Sequence, residues 1–497
     1  NTSNSNETGS FNVACGSYTL QANTTAYQTA IGAYALNATT SGGNNTGCGF
    51  YALLTNTTGT NNTAVGSLSL DANTTGDYNV AVGMGALSGN TTADNNVAVG
   101  RSCMSSNTTG HSNVAIGYFA MQQNVSGNNN TAVGINSLDA SNQASNNTAI
   151  GRNALTSNTA GNNTSVGYNS LRVNTTGTQL VAVGANALDA NTTANSNTAV
   201  GYNALKANTT GDENTAIGMG CLDSNTTGID NTGGGVSTLQ ANTTGSLNTG
   251  FGRGALAFNT TADNNSAFGN NALFANTTGA QNTAVGTFAL DANTTGSTNC
   301  AIGRDSLTAN TTASDNTGVG DSALNQNTTG ASNTGIGRGA LGNNTTASNN
   351  TGVGYFALVN NTTGSQNVAV GSSALQSNTT ANDNTALGFN ALASNTTGHS
   401  NTAVGHAAAD AVTTGVQNTV VGRHALSANT TANNNVAVGY FALHVNTTGT
   451  NCVAVGTNAA DAQTTGSHNT SIGHSNMGTN TTGSNNVAVG SFCMDVG

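Results

Sequence analysis

Apolar and polar positions recur along this chain with a fixed period. A glycine returns 29 times, from Gly16 to Gly490, at steps of 17 residues broken only twice by steps of 16. The residue before it is Val, Ile, Leu or Phe in 26 of the 29 repeats, and the residue four after it is Leu or Met in 27. Apolar blocks such as Val80-Ala81-Val82 are short and end in Gly, whereas a helix would need apolar residues at three- and four-residue spacing over about ten residues. The pattern therefore predicts short strands, two or three to each 17-residue turn, joined by Gly, Asn and Thr corners. Repetition this strict predicts an all-β chain, a parallel β-solenoid (β-roll or β-helix) of about 29 coils stacked along one axis. At about 4.8 Å per coil, such a stack would run roughly 135 to 140 Å.

Within each coil the two large apolar columns are expected to face inward as a core ladder, exemplified by Val65, Leu70, Val82, Leu87, Val200 and Leu205. Strand alternation then turns the Ala two before the Gly (Ala64, Ala81, Ala98, Ala199) outward, as a flat stripe of small residues beside Ala86, Ala154, Ala187 and Ala204. Such a stripe would pack against another chain, with a homotrimer as the first expectation.

Asn stands seven after the Gly in 24 of the 29 repeats, and a second Asn column lies four before it. Asn tolerates left-handed corners, and stacked Asn side chains can hydrogen-bond along a column and hold register.

The repeat fills residues 1–497 without a shift in composition, which predicts a single solenoid domain. Only 5% of the residues are charged, Pro and Trp are absent and Gly numbers 65, a composition unlike that of an ordinary globular enzyme. The net charge of −11 and eight scattered basic residues give no electrostatic footprint for nucleic acid or an anionic membrane. No apolar run approaches the roughly 18 residues of a membrane span. The sequence starts at Asn1 without a leader pattern and is expected to be a processed product or a fragment. Neither end shows a capping element, so open coil edges would favour head-to-tail stacking.

The block from Asn197 to Gly218, NTAVGYNALKANTTGDENTAIG, carries a [TVS]-A-[VI]-G strand ending followed by x-x-A-L. It resembles the head repeats of trimeric autotransporter adhesins and the related β-solenoid repeats of phage tail fibres. The resemblance implies a non-enzymatic surface fibre built of three chains. This chain departs from those families in having no coiled-coil stalk, no membrane-anchor barrel and no self-cleaving chaperone domain.

Asn-Thr-Thr occurs in most coils and fits the N-glycosylation acceptor pattern, with Asn73, Asn107, Asn208, Asn242, Asn293 and Asn378 as candidates. Glycans about 4.8 Å apart would crowd one another, so occupancy is expected to be partial. Thr pairs such as Thr74-Thr75, Thr91-Thr92 and Thr108-Thr109 raise ice binding as a distant alternative, weakened because adjacent side chains diverge. Asp recurs five after the Gly (Asp71, Asp139, Asp189, Asp223, Asp291, Asp410, Asp461) but skips coils and lacks the neighbouring carboxylates that calcium needs. The His residues, among them His111, His399, His406 and His424, show no repeated pairing with Cys, Ser or carboxylate. No catalytic, cofactor or metal site is expected. The seven Cys residues lie in non-adjacent coils, too far apart to bridge, and read as small buried thiols, with Cys15 and Cys493 as candidates for contact between molecules. Arg101, Arg152, Arg253, Arg304, Arg338 and Arg423 share the variable position after the Gly with Tyr118, Tyr168, Tyr202, Tyr355 and Tyr440, an outward face where a host-cell or surface receptor could be met.

The expected function is that of a structural extracellular fibre on a cell or virion surface, forming filaments by self-association or acting as an adhesin. A viral tail or capsid fibre is the close alternative.

Overall fold

The computed structural model describes residues 9–494. The described residues form no helix and 29 strands, each of three residues. They are parallel, and each pairs with the strand one coil away: Thr63–Val65 with Val80–Val82, and Thr198–Val200 with Thr215–Ile217. Register is kept residue by residue, Ala64 opposite Ala81 and Val65 opposite Val82. The fold is a parallel β-solenoid with a repeat of about 17 residues.

Among the described residues the coils group into two compact units, divided after Leu247. The first holds fourteen strands, from Val13–Cys15 to Thr232–Gly234, and the second fifteen, from Thr249–Phe251 to Val487–Val489. In a solenoid each coil touches only its neighbours, so no long-range packing binds distant coils into one body.

Each coil contains one strand rather than the two or three expected. The x-x-A-L segment turns instead of extending: Leu68 and Leu70 have φ of 56° and 52°, and the same two positions are left-handed in coil after coil. A left-handed non-glycine residue costs roughly 1–2 kcal/mol. Burying a Leu offsets this by about 1.5–3 kcal/mol, and every Leu of this column in the described coils is fully enclosed, Leu70, Leu87 and Leu205 among them. The turn still bonds from coil to coil, the Leu70 N–H donating to the Ala86 carbonyl at 2.9 Å, as the Gly83 N–H does to Val65 at 2.8 Å.

The inside and outside of the strand are the reverse of the expected ones. Ala64, Ala81, Ala98 and Ala199 have no exposed surface, while Val65 is 38% exposed and Val82 and Val200 are half-exposed. The inward column is therefore the alanine column, and the Val65, Val82 and Val200 column is not core. The coil is too narrow for two large columns. Where Gly replaces the alanine, at Gly47 and Gly335, an added Cβ would already sit 3.3 and 3.2 Å from the Cγ of Leu36 and Leu324. Ala86, Ala154, Ala187 and Ala204 are also buried, so no stripe of small residues reaches the surface.

The recurrent glycine is required by close approach. Gly66 has φ 134°, and a Cβ there would lie 2.6 Å from the Gly83 carbonyl oxygen of the next coil. The steps of 16 are absorbed in the Asn-Thr corner. Asn158 Nδ2 donates to the carbonyl of Ala160, two residues on, where Asn73 reaches Gly76, three on.

Candidate functional site: the outer sheet face and its flanking columns

Every strand after Val13–Cys15 presents its first and third residues outward and buries the second, as in Thr63-Ala64-Val65. Stacked in register, the outward positions form one column of Thr or Val and one of Val or Ile in each unit. Ile116 is 40% exposed, Ile217 51% and Phe251 43%. None of the strands carries a charged residue. This face is apolar, neutral and flat, and its backbone is already saturated by the ladder.

Behind it the polar residues are consumed internally. Asn73 Nδ2 donates to Asn56 Oδ1 at 2.8 Å and to the Gly76 carbonyl at 3.0 Å. Asn107, Asn208, Asn242, Asn293 and Asn378 repeat this pair of bonds to the Asn one coil earlier and to the carbonyl three residues on. All six are fully buried. This argues against their reading as glycan acceptors, because the nitrogen that would bear the sugar points into the coil and both its protons are spent. The second Asn column works alongside: Asn62 Oδ1 accepts from the Asn79 N–H at 2.9 Å, and Asn79 Nδ2 donates to the Ala93 carbonyl at 2.8 Å.

The Thr pairs split as their adjacency implies. Thr74 Oγ1 donates to the Thr91 carbonyl at 3.0 Å, while Thr75 is exposed. Thr74 itself is half-buried, whereas both members are exposed at Thr175-Thr176 and Thr430-Thr431.

The Asp column is half-buried. Asp71, Asp139 and Asp410 each leave Oδ1 enclosed without a hydrogen-bond partner, and burial raises the carboxyl pKa of all three. In this same column Arg172, Asp189, Lys206 and Asp223 alternate in sign over four successive coils, with Arg172 Nε 2.8 Å from Asp189 Oδ1. Among the described residues no three His, Cys, Asp or Glu side chains gather as a metal site.

All seven cysteines are free. Cys103 and Cys221 take the place of buried alanines, and burial pushes both thiols up to about 12. Cys15 is exposed and Cys493 partly so.

The stacking of coils brings together side chains that are remote in sequence. His406, His424 and His444 form a ring cluster with Phe389 and Phe441, centroids 4.4 to 6.3 Å apart. Burial, Arg423 and His406 lower the His424 pKa. No sequence pairing announces this cluster, because its members sit one, two and five residues after different glycines. Only the 17-residue register makes them neighbours.

A comparison with known protein families and with characterised proteins gives no family match and no significantly similar sequence.

Proposed function

We propose that this chain is a non-enzymatic structural fibre subunit whose coils form a rigid stack and whose chains associate side by side through the outer sheet face. The observation that carries this reading is the uncharged Thr and Val/Ile face. Over fourteen rungs of about 4.8 Å and a width of about 10 Å it covers about 650 Å² in the first unit alone. That exceeds the roughly 300–600 Å² of the largest patch on a typical monomer and approaches the roughly 800 Å² per partner of a standard interface. Valine and isoleucine ladders on two such faces interdigitate at the ~10 Å spacing of packed sheets. A homotrimer places three of these faces around a common axis. An extracellular location, on a cell or a virion, belongs to the same reading.

The test is sedimentation of the purified chain beside a variant carrying Ile116→Asp and Ile150→Asp, both on exposed positions of this face. The wild type is expected as a discrete oligomer and the variant as a folded monomer. A monomeric wild type would overturn the reading.

A further inference from the structure

The position after the recurrent glycine carries Arg in six of the 29 repeats and Tyr in five. Independent placement would pair about one Tyr with an Arg one coil earlier. Four of the five tyrosines are so placed: Tyr118 follows Arg101, Tyr168 follows Arg152, Tyr355 follows Arg338 and Tyr440 follows Arg423. In three of these the Tyr is followed by Phe, giving Gly-Arg in one coil and Gly-Tyr-Phe-Ala in the next.

At two of these pairs the geometry goes with the sequence. The Arg101 guanidinium stands 5.7 Å from the centre of the Tyr118 ring and that of Arg423 5.9 Å from Tyr440, a cation–π arrangement. Within the Tyr-Phe doublets the ring centres are 3.9 Å apart at Tyr118–Phe119, 4.3 Å at Tyr355–Phe356 and 4.2 Å at Tyr440–Phe441. Arg101, Arg338, Arg423 and the three tyrosines are exposed. Arg172 and Arg304 have carboxylate partners at 2.8 Å and Arg338 has one, Asp321, at 3.7 Å, whereas among the described residues Arg101 and Arg423 have no ion pair, although the chain holds 19 acidic residues to eight basic ones.

We infer that the Arg101/Tyr118/Phe119 and Arg423/Tyr440/Phe441 triads are binding sites for a short acidic saccharide. A guanidinium lying over a ring keeps its in-plane N–H donors directed outward, where they match a carboxylate or sulfate in bidentate geometry. The adjacent rings, tilted by 33° at Tyr118–Phe119 and 55° at Tyr440–Phe441, offer an apolar surface of the size of one sugar ring. What recurs is only the triad, since the residue after the Arg is Ser102, Gly339 or His424. Three side chains fall far short of the roughly 800 Å² a protein partner would need. A long polyanion would be opposed by the net charge of −11, whereas a short acidic sugar meets only the local Arg.

The inference does not depend on the assembly reading above, and one experiment separates the two. Beads bearing trigalacturonate, a sulfated disaccharide or maltotriose are incubated with the full chain and with the variant Tyr118→Ala/Tyr355→Ala/Tyr440→Ala, and each protein's oligomeric state is measured in parallel. Wild type is expected to be retained on one or both acidic beads and not on maltotriose, the carboxylated and sulfated arms identifying the anionic group. The variant is expected to lose about tenfold in retention with its oligomeric state unchanged, and Tyr202→Ala, whose Tyr has no Arg before it, to behave as wild type. Equal retention on maltotriose, no retention on any bead, or full retention of the triple variant would overturn the proposal. So would a change in the oligomeric state of the triple variant, which would make the triads part of a contact between chains.

Discussion

A Cβ on Gly100 would lie 2.4 Å from the carbonyl oxygen of Gly117, and Gly100 has φ 139°. Backbone thus meets backbone between coils at this column. Gly100→Ala is expected to force the two coils apart, breaking the Gly117 N–H bond to the Val99 carbonyl, now 2.8 Å. Hydrogen exchange should show amides of residues 97–121 losing protection while coils several turns away keep theirs, because stability in a solenoid is a sum of neighbour terms. Unchanged protection would count against the close approach.

Asn90 donates to Asn73 at 2.9 Å and accepts from Asn107 at 3.0 Å. Asn90→Ala removes both links and leaves buried polar atoms unmatched at about 1–3 kcal/mol each. The expected result is local opening of neighbouring coils, read by proteolysis or hydrogen exchange, without loss of the distant ones. For the same structural reason, the chain expressed in a glycosylating host is expected to show no N-glycan at Asn73, Asn107, Asn208, Asn242, Asn293 or Asn378 when folded material is analysed by mass spectrometry.

Asp71, Asp139 and Asp410 have carboxyl pKa values raised from 3.8, with burial as the largest cause. A raised acid binds its proton more tightly when folded, so each contributes instability that develops as pH rises from its unfolded value through its folded one. Asp→Asn at these three positions is expected to stabilise the chain at pH 7. The gain should shrink as pH falls below the ordinary carboxylate value, which thermal unfolding at pH 7 and pH 3 can check.

Thiol reagents at pH 8 should separate the cysteines. Cys15, which is exposed, is expected to react promptly, whereas Cys103 and Cys221, buried with pKa near 12, should react only on unfolding. Equal labelling of all three in the folded chain would contradict their burial.

The period of 17 made the solenoid, its parallel pairing and the Leu70 column legible from sequence. The strand's orientation was not, because Val80-Ala81-Val82 is apolar on both faces and hydropathy favours the larger pair for the interior. What decides is width: the Leu of the preceding coil fills the space against this position, as Leu36 does against Gly47 and Leu324 against Gly335, leaving room only for an Ala such as Ala81. The second predicted strand failed because backbone sign is invisible in a pattern of residue types, and Leu68 and Leu70 are not residues expected in left-handed geometry. Asn73 satisfies the acceptor pattern for a glycan and a ladder equally well, and only its burial separates them. The Arg101–Tyr118 and His406–His424 contacts are encoded one coil apart and appear once the chain is read in columns.

From Asn56 to Asn124, a run that ends at Ser141, the amides of the first Asn column all point one way. Asn73 gives its proton to Asn56, Asn90 to Asn73 and Asn107 to Asn90, so the column is an arrow directed toward the start of the chain. Reversing one member would set oxygen against oxygen on one side and nitrogen against nitrogen on the other. A coil can therefore be added to such a stack in one sense only, head following tail. A coil presented upside down within the run meets a lone pair where it needs a proton, so the column holds the polarity of the coils it joins.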